Sequence, residues 1–543
     1  MEENLRALSQ SQGPGRPLLE LTIGGLLERT ASRFPERLAV VSCHQQKRLT
    51  WAELSAEADR VARGLWSLGI RRGDRVGLWS TNCIEWVMMH MGCARAGAAL
   101  VNVNPAYRSH ELQYTLQKSH MKALFLWHKD KHADYEEILG RARHGLTLEL
   151  KHTIYFDTPE WPALLDAEGR LPEAVAVDDV ANIQYTSGTT GLPKGVMLTH
   201  HNVVNNGQFL AQGFHYTEQD SIVLPVPLFH CFGCVIGTMS AVNSGAAIIL
   251  PQWTFDPRAT LQAVHDERAT SVYGVPAMYV AELALPDFAS FDLTSLRTGM
   301  MSGAPCPIEL MKRVLNEMHI RELVIAYGQT ETSPVVTMSD AADTIEVRVN
   351  TVGRAMPQTE IQVVSTATNE PLSRGEQGEI CVRGYALMKG YDGDPEGTAT
   401  VIKENGWLHT GDLGVMREDG CLRITGRSND VIIRGGENIY PREVEEFLYT
   451  HPKVGEVQVV GIPSARLGEI VAAWVRLKPG VEATEEEIKE FCKGQIAYYK
   501  IPEHVRFVTE FPATLSGKIQ KYKIREFEIE ARGLQSVAEA ATA

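Results

Sequence analysis

Long uninterrupted apolar runs are missing from this chain. The most apolar stretch, residues 235–250, is broken by Asn243, Ser244 and glycines. It falls short of the roughly 20 residues that a spanning helix needs. The first residues, MEENLRALSQSQGPGRP, lack the apolar centre of a signal peptide and begin acidic, unlike an import peptide. The closing Ala-Thr-Ala carries no lipidation or peroxisomal signal. These absences give a cytoplasmic reading. An excess of basic residues is missing too: Lys+Arg number 53 against 67 Asp+Glu, a formal net charge of −14. That balance argues against a nucleic-acid partner. An anionic ligand must instead be held by local cations and backbone N–H groups. A disulfide framework is absent, because the nine cysteines are odd in number and scattered. The one C-x-x-C, Cys231 to Cys234, has no second pair for a metal and no thioredoxin-like setting. It reads as two small apolar side chains lining a core or pocket. Repeats and low-complexity blocks are also missing.

What is present is a chain of 543 residues, 44% hydrophobic and 22% charged, enough for about two to four folding units. The first hundred residues alternate helix and strand. Trp51, Leu54, Ala58, Val61, Leu65 and Leu68 step by three and four along one helix face. Residues 75–80 read as a buried strand, and Asn82 followed by Glu85 resembles a capping box opening the next helix. A strand at 98–103, a helix at 109–118 and a strand at 122–127 follow. The alternation predicts α/β layers with largely parallel sheets. After about residue 350, short strands with glycine turns (360–365, 378–384, 421–425) predict a β-rich subdomain. Beyond 430, strands at 431–434, 456–462, 470–477 and 504–508, a helix from Pro441 and another with Thr484 and Glu487 as its capping box predict a small α+β domain. The expected division is residues 1–426, a hinge at 427–430, and 431–543.

The most informative segment is Tyr185-Thr186-Ser187-Gly188-Thr189-Thr190-Gly191-Leu192-Pro193-Lys194-Gly195. Its glycines let backbone N–H groups approach phosphate oxygens, its hydroxyls donate, and its lysine supplies charge. The Walker A spacing fails, yet the composition is that of a phosphate-binding loop. With the following Val196-Met197-Leu198-Thr199-His200, it resembles the signature of the adenylate-forming superfamily of acyl-CoA synthetases, luciferases and peptide-synthetase adenylation domains. Further motifs resemble that family in order along the chain: Tyr327-Gly328-Gln329-Thr330-Glu331; His409-Thr410-Gly411-Asp412; Gly426-Arg427-Ser428-Asn429-Asp430 with Gly435-Gly436-Glu437-Asn438-Ile439-Tyr440-Pro441; and Pro512 leading to Gly517-Lys518.

The resemblance implies an acid:CoA ligase using ATP, Mg²⁺ and coenzyme A. It implies that Thr186, Ser187, Gly188, Thr189, Thr190, Gly191 and Lys194 hold the outer phosphates. Glu331 and Thr186 would help hold Mg²⁺, a hard ion that favours oxygen ligands. Thr330 would meet the α-phosphate; Gly303, Ala304, Pro305, Tyr327 and Gly328 would line the adenine; Asp412, assisted by Arg427, would accept from the ribose hydroxyls. Lys518 would bridge carboxylate and α-phosphate while charge shifts in adenylation. After adenylation the small domain would rotate about Asn429, where many relatives have Asp or Lys, and Gly435 and Gly436 would line the pantetheine path. The segment Pro227-Leu228-Phe229-His230-Cys231-Phe232-Gly233 lies where the family lines its acyl pocket, with His230 near the reacting carboxylate. It holds no acidic residue for a substrate ammonium, which favours an uncharged acyl tail. Val101-Asn102-Val103-Asn104-Pro105-Ala106-Tyr107 and Arg434-Gly435-Gly436-Glu437-Asn438 look most like the medium-chain fatty acyl-CoA synthetases. Short branched, sulfur-containing or aryl acids, a carrier protein as thiol acceptor, a non-catalytic acyl or nucleotide sensor and a light-emitting oxygenase stay open as alternatives. The oligomeric state has no signature.

Overall fold

A computed structural model describes residues 7–131, 133–171, 174–186, 193–304, 306, 308–434, 437–464, 466–514 and 517–536. The described chain gathers into two compact units. The larger holds residues 11–361 and 381–409; the smaller holds the described parts of 1–10, 362–380 and 410–543.

Two seven-stranded sheets organise the larger unit. One is centred on the parallel strands Arg75–Trp79 and Ala99–Val103, in the register Arg75↔Ala99 to Trp79↔Val103. Ala123–Leu126 and His152–Tyr155 extend it in parallel on one side. Val180–Thr186 pairs in parallel on the other and turns back antiparallel into Lys194–Thr199. The second sheet is parallel through Leu38–Ser42, Ala247–Leu250, Ser221–Val223, Ser271–Gly274, Thr298–Met301 and Glu322–Val324. The central strands are apolar at nearly every position because both faces are covered, as parallel sheets require. Helix Ile84–Ala96 follows the same logic: all but one of its residues are buried, including Glu85 and His90. Helix Trp51–Ser67 buries the predicted face Trp51, Leu54, Ala58, Val61 and Leu65.

Elements expected near 75–80, 98–103, 109–118 and 122–127 form at Arg75–Trp79, Ala99–Val103, Ser109–Ser119 and Ala123–Leu126. The capping box at Asn82 and Glu85 does not form. Cys83 is the N-cap and makes no side-chain capping bond. The Asn82 amide donates to the Val226 carbonyl (2.9 Å) and accepts from Leu228 N–H (2.8 Å). Glu85 accepts from Lys47 (2.6 Å) and Gln45 (2.7 Å). Tertiary partners outbid the local cap. A complete box forms instead at Thr50 and Glu53, opening Trp51–Ser67. Thr484 does cap Glu485–Cys492, accepting from Glu487 N–H, while the Glu487 carboxylate turns to Lys453 (2.8 Å).

In the smaller unit, Val454–Ser464 and Gly468–Leu477 form a long antiparallel pair, joined in parallel by His504–Phe507 and antiparallel by Ile432–Arg434. Helices Pro441–Leu448, Glu485–Cys492 and Lys521–Ala531 accompany them. Strand Leu422–Arg427 pairs antiparallel with Leu408–Met416. The architecture is α/β in the larger unit and α+β in the smaller.

Candidate active site

The hairpin Val180–Thr186/Lys194–Thr199 sets Thr186 directly opposite Lys194 and Tyr185 opposite Gly195. Thr186 and Lys194 therefore flank the mouth of the expected phosphate loop. Ser187, Gly188, Thr189, Thr190 and Gly191 lie outside the described residues. A third strand, Gly390–Tyr391, adds to the hairpin edge with Tyr391 opposite Val196. Lys194 Nζ sits 4.7 Å above the Tyr391 ring and 3.9 Å from an Asp394 carboxylate oxygen.

Glu331 stands in the short turn Thr330–Thr332. The turn is stiff: Thr332 Oγ1 accepts from Gln329 N–H (3.1 Å), and the Ser333 hydroxyl donates to the Ala386 carbonyl (2.6 Å). Met388 N–H donates to the Glu331 carbonyl (2.8 Å), and the Tyr391 hydroxyl donates to Glu331 Oε1 (2.9 Å). Gly328 is required where it stands, since a Cβ there would lie 1.7 Å from the Pro334 carbonyl oxygen. Tyr327 pairs across to Thr337. Gly303, at φ +86°, turns the chain after Thr298–Met301. The Ser302 hydroxyl ties this turn to the Ala326 carbonyl (2.7 Å), setting Gly303 and Ala304 beside the Tyr327 strand. Pro305 is outside the described residues.

His230 ends a clamped segment. Asn82 holds Val226 and Leu228, and Asn102 donates to the Phe229 carbonyl (2.8 Å). His230 Nδ1 accepts from Phe232 N–H (3.1 Å), which places the neutral ring's proton on Nε2. The chain then enters the π-helix Phe232–Gly237. Cys231 Sγ lies 3.6 Å from His230 Nδ1 and 3.8 Å from Thr330 Oγ1. Burial pushes the Cys231 thiol up to about 12, and Cys234 is likewise buried in the core with its thiol raised. All nine cysteines are free, and the C-x-x-C pair is core packing as expected. A continuous path of contacts thus links Lys194, Tyr391, Glu331 and its neighbour Thr330, Cys231 and His230. Tyr391, Asp394, Asn82 and Asn102 are the members that the sequence reading missed. Asn102 fell within a quoted motif and Asn82 was read as a helix cap, but none carries a local pattern that betrays its partner.

In the smaller unit, Asp412 and Arg427 are register partners on adjacent strands, with Arg427 Nε 3.0 Å from Asp412 Oδ1. Asp412 is buried, and Gly411 before it, at φ +71°, donates its N–H to the Glu379 carboxylate (3.0 Å). Ser428–Asp430 is a short turn. Gly435 and Gly436 lie outside the described residues. Lys518 is exposed; its N–H donates to Thr514 Oγ1 (3.0 Å), and its carbonyl accepts from Thr514 N–H (2.8 Å). The expected site residues therefore divide: Thr186, Lys194, His230, Gly303, Ala304, Tyr327, Gly328, Thr330 and Glu331 belong to the larger unit, and Asp412, Arg427 and Lys518 to the smaller. No helix among the described residues is long and apolar enough to cross a membrane.

Comparison with known proteins extends this geometry. Residues 27–392 match the family described as AMP-binding enzyme, and residues 443–518 match the AMP-binding enzyme C-terminal domain. The chain is 47% identical to the Bacillus subtilis (strain 168) protein YngI, an acyl-CoA synthetase by name, over 96% of this chain and 99% of that one. It is 42% identical to the mitochondrial medium-chain acyl-CoA ligase ACSF2 of Bos taurus, over 94% of this chain and 88% of that one. Its fold is similar to that of ATP-bound MatB from Rhodopseudomonas palustris, with a TM-score of 0.82 and 29% identity over 93% of this chain and 99% of that one. The chain belongs to the AMP-binding enzyme family, in its acyl-CoA synthetase branch.

Proposed function

We propose that this chain is an ATP-dependent acid:CoA ligase acting on medium-chain fatty acids. The observation that carries the reading is the path that joins the phosphate-loop lysine, a fixed carboxylate and the His230 segment, where that segment offers no acidic group to pair a substrate ammonium. Near end-to-end similarity to a medium-chain acyl-CoA ligase supports the choice of acid. The substrate carboxylate attacks the α-phosphorus of ATP, the bond to the bridging oxygen breaks, and pyrophosphate leaves. Thr186, Lys194 and the intervening loop bind the outer phosphates, and Thr330 donates to the α-phosphate. Asp412, pinned by Arg427, accepts from the ribose hydroxyls. Lys518 spans the two anions as they meet, where a preorganised cation counts most. The thiol of CoA then attacks the acyl carbon, and AMP leaves.

Glu331, Thr186 and the neighbouring Thr330 hydroxyl offer oxygen donors only, a set that fits a hard divalent ion such as Mg²⁺. When bound, that ion neutralises phosphate charge. Glu331 Oε1 is already oriented by Tyr391, so the carboxylate needs no reorganisation to receive it. We place the protein in the cytoplasm, a reducing compartment in keeping with nine free thiols. Because the ACSF2 relative is mitochondrial by name, cell fractionation is the test of that location.

CoA-dependent AMP formation is the test of function, measured with ATP and Mg²⁺ across straight-chain acids of two to sixteen carbons, with benzoate and amino acids alongside. Each buried methylene contributes ~0.8 kcal/mol, so activity rises about fourfold per carbon until the pocket ends. A maximum at intermediate length is the expected result. Pyrophosphate release that ignores CoA would move the acceptor to a carrier protein. No release with any acid would overturn the ligase reading.

A further inference from the structure

The strip of chain from Met388 to Asp394, which carries Tyr391 to Glu331, is fastened at many points. Met388 N–H donates to the Glu331 carbonyl (2.8 Å), and Tyr391 N–H to Thr398 Oγ1 (2.8 Å). Asp392 N–H donates to the Gly195 carbonyl (2.7 Å), and its buried carboxylate pairs with Arg75 (2.6 Å). Tyr391 itself is only 8% exposed and packs in the main core, so its ring cannot swing away. From that fixed ring, the hydroxyl reaches Glu331 Oε1 at 2.9 Å, while the face lies 4.7 Å from Lys194 Nζ. One side chain touches both the carboxylate expected to hold the divalent ion and the lysine expected to hold phosphate.

We infer that Tyr391 is a positioning residue that presets both charged groups of the phosphate site: its hydroxyl orients the Glu331 carboxylate toward a divalent ion, and its ring shares Lys194 with Asp394, keeping that ion pair long until a phosphate arrives. The inference rests on the reading of Glu331 as the ion-holding carboxylate. With Oε1 engaged, Glu331 Oε2 has no hydrogen-bond partner among the described residues and is left for another ligand. A cation over an aromatic face is held weakly enough to leave. The ion pair with Asp394 is long, 3.9 Å, and a closer one would compete with phosphate for the lysine charge.

The test separates the two contacts. Tyr391→Phe keeps the ring and deletes the hydroxyl; Tyr391→Leu deletes both. Mn²⁺ binding to the full-length protein with α,β-methylene-ATP is read by electron paramagnetic resonance, beside steady-state constants with Mg²⁺. Tyr391→Phe should weaken Mn²⁺ binding about tenfold, the scale of one hydrogen bond to a charged group, with the KM values for ATP at saturating Mg²⁺ and for the acid unchanged. Tyr391→Leu should in addition raise the KM for ATP, and Asp394→Asn on that background should lower it again. A merely structural tyrosine would shift both KM values together and gain nothing from Asp394→Asn. Glu331→Gln is the reference. If it weakens Mn²⁺ binding and Tyr391→Phe does not, Tyr391 has no positioning role. If neither change affects Mn²⁺, the Glu331 reading itself falls, and the proposal with it.

Discussion

Two histidines in the core of the larger unit show what a single residue can add to the protein's pH response. His90 lies on Ile84–Ala96, edge-on to Trp86 at 5.4 Å, with no hydrogen-bond partner for Nδ1 among the described residues. His200 opens His200–Gly213; its Nδ1 accepts from Ile23 N–H (3.2 Å), and its Nε2 has no hydrogen-bond partner among the described residues. Burial lowers each from 6.5 to about 4, so both are neutral in the fold. As pH falls from about 6.5 toward 4, the unfolded chain takes up these protons and the folded chain does not. Stability is therefore full near neutrality and is lost across that window. At ~1.4 kcal/mol per pH unit, each histidine removes at most about 3 kcal/mol. His90→Phe should keep the packing and flatten the fall in urea midpoint between pH 6.5 and 4. An unchanged slope would mean that His90 does not titrate in that range. Nothing local marks these positions in the sequence. A histidine on a helix is read as surface or site, and only the surrounding helices reveal it as core. Thr186, Lys194, Glu331 and Asp412 were singled out for the opposite reason, because each stands in a dense local pattern of Gly, Thr and charged residues of the kind expected of a phosphate site.

Elements were legible where one physical cause dominated. The strands at Arg75–Trp79 and Ala99–Val103 show as apolar runs because both their faces are covered, and Trp51–Ser67 shows as a 3.6-residue period because one face is. The π-helix Phe232–Gly237 was illegible: it is an apolar run like any other, and the segment that leads into it is held by remote amides. Asn102 donates to the Phe229 carbonyl and accepts from Asn182 (2.8 Å), while Asn82 donates to Val226 and accepts from Leu228. The segment that delivers His230 is thus positioned by two asparagines more than a hundred residues away, and the same demand took Asn82 from the cap assigned to it by sequence. Asn102→Ala should leave the Phe229 carbonyl unsatisfied, cost about 1–3 kcal/mol of stability and loosen the segment. The kcat/KM for the acid should fall roughly tenfold, equivalent to about 1.4 kcal/mol, with the KM for ATP unmoved. A parallel rise in both KM values would show general loosening and remove the positioning role of Asn102.

At the scale of the whole molecule, the residues expected to act together in adenylation are divided between two compact units. Lys194, Glu331 and His230 are in one, and Asp412, Arg427 and Lys518 in the other. A two-step reaction gives that division a use, because a lysine needed while two anions meet has no task when a thiol attacks the finished adenylate. Lys518 suits a test, since its hydrogen bonds to Thr514 run through its own backbone N–H and carbonyl, which a side-chain substitution retains. Lys518→Ala should lower acid-dependent ATP–pyrophosphate exchange by roughly 10²–10³-fold, the effect of deleting one preorganised donor, yet convert synthetic acyl-adenylate to thioester at a near-native rate. Gly436→Leu should reverse the pattern, sparing exchange and blocking thioester formation, because a side chain would narrow the expected pantetheine path. Single-turnover measurement of each half-reaction distinguishes the cases. Equal losses in both steps for both variants would mean that the same groups serve both half-reactions, and the expected hinge at 427–430 would then have no catalytic purpose.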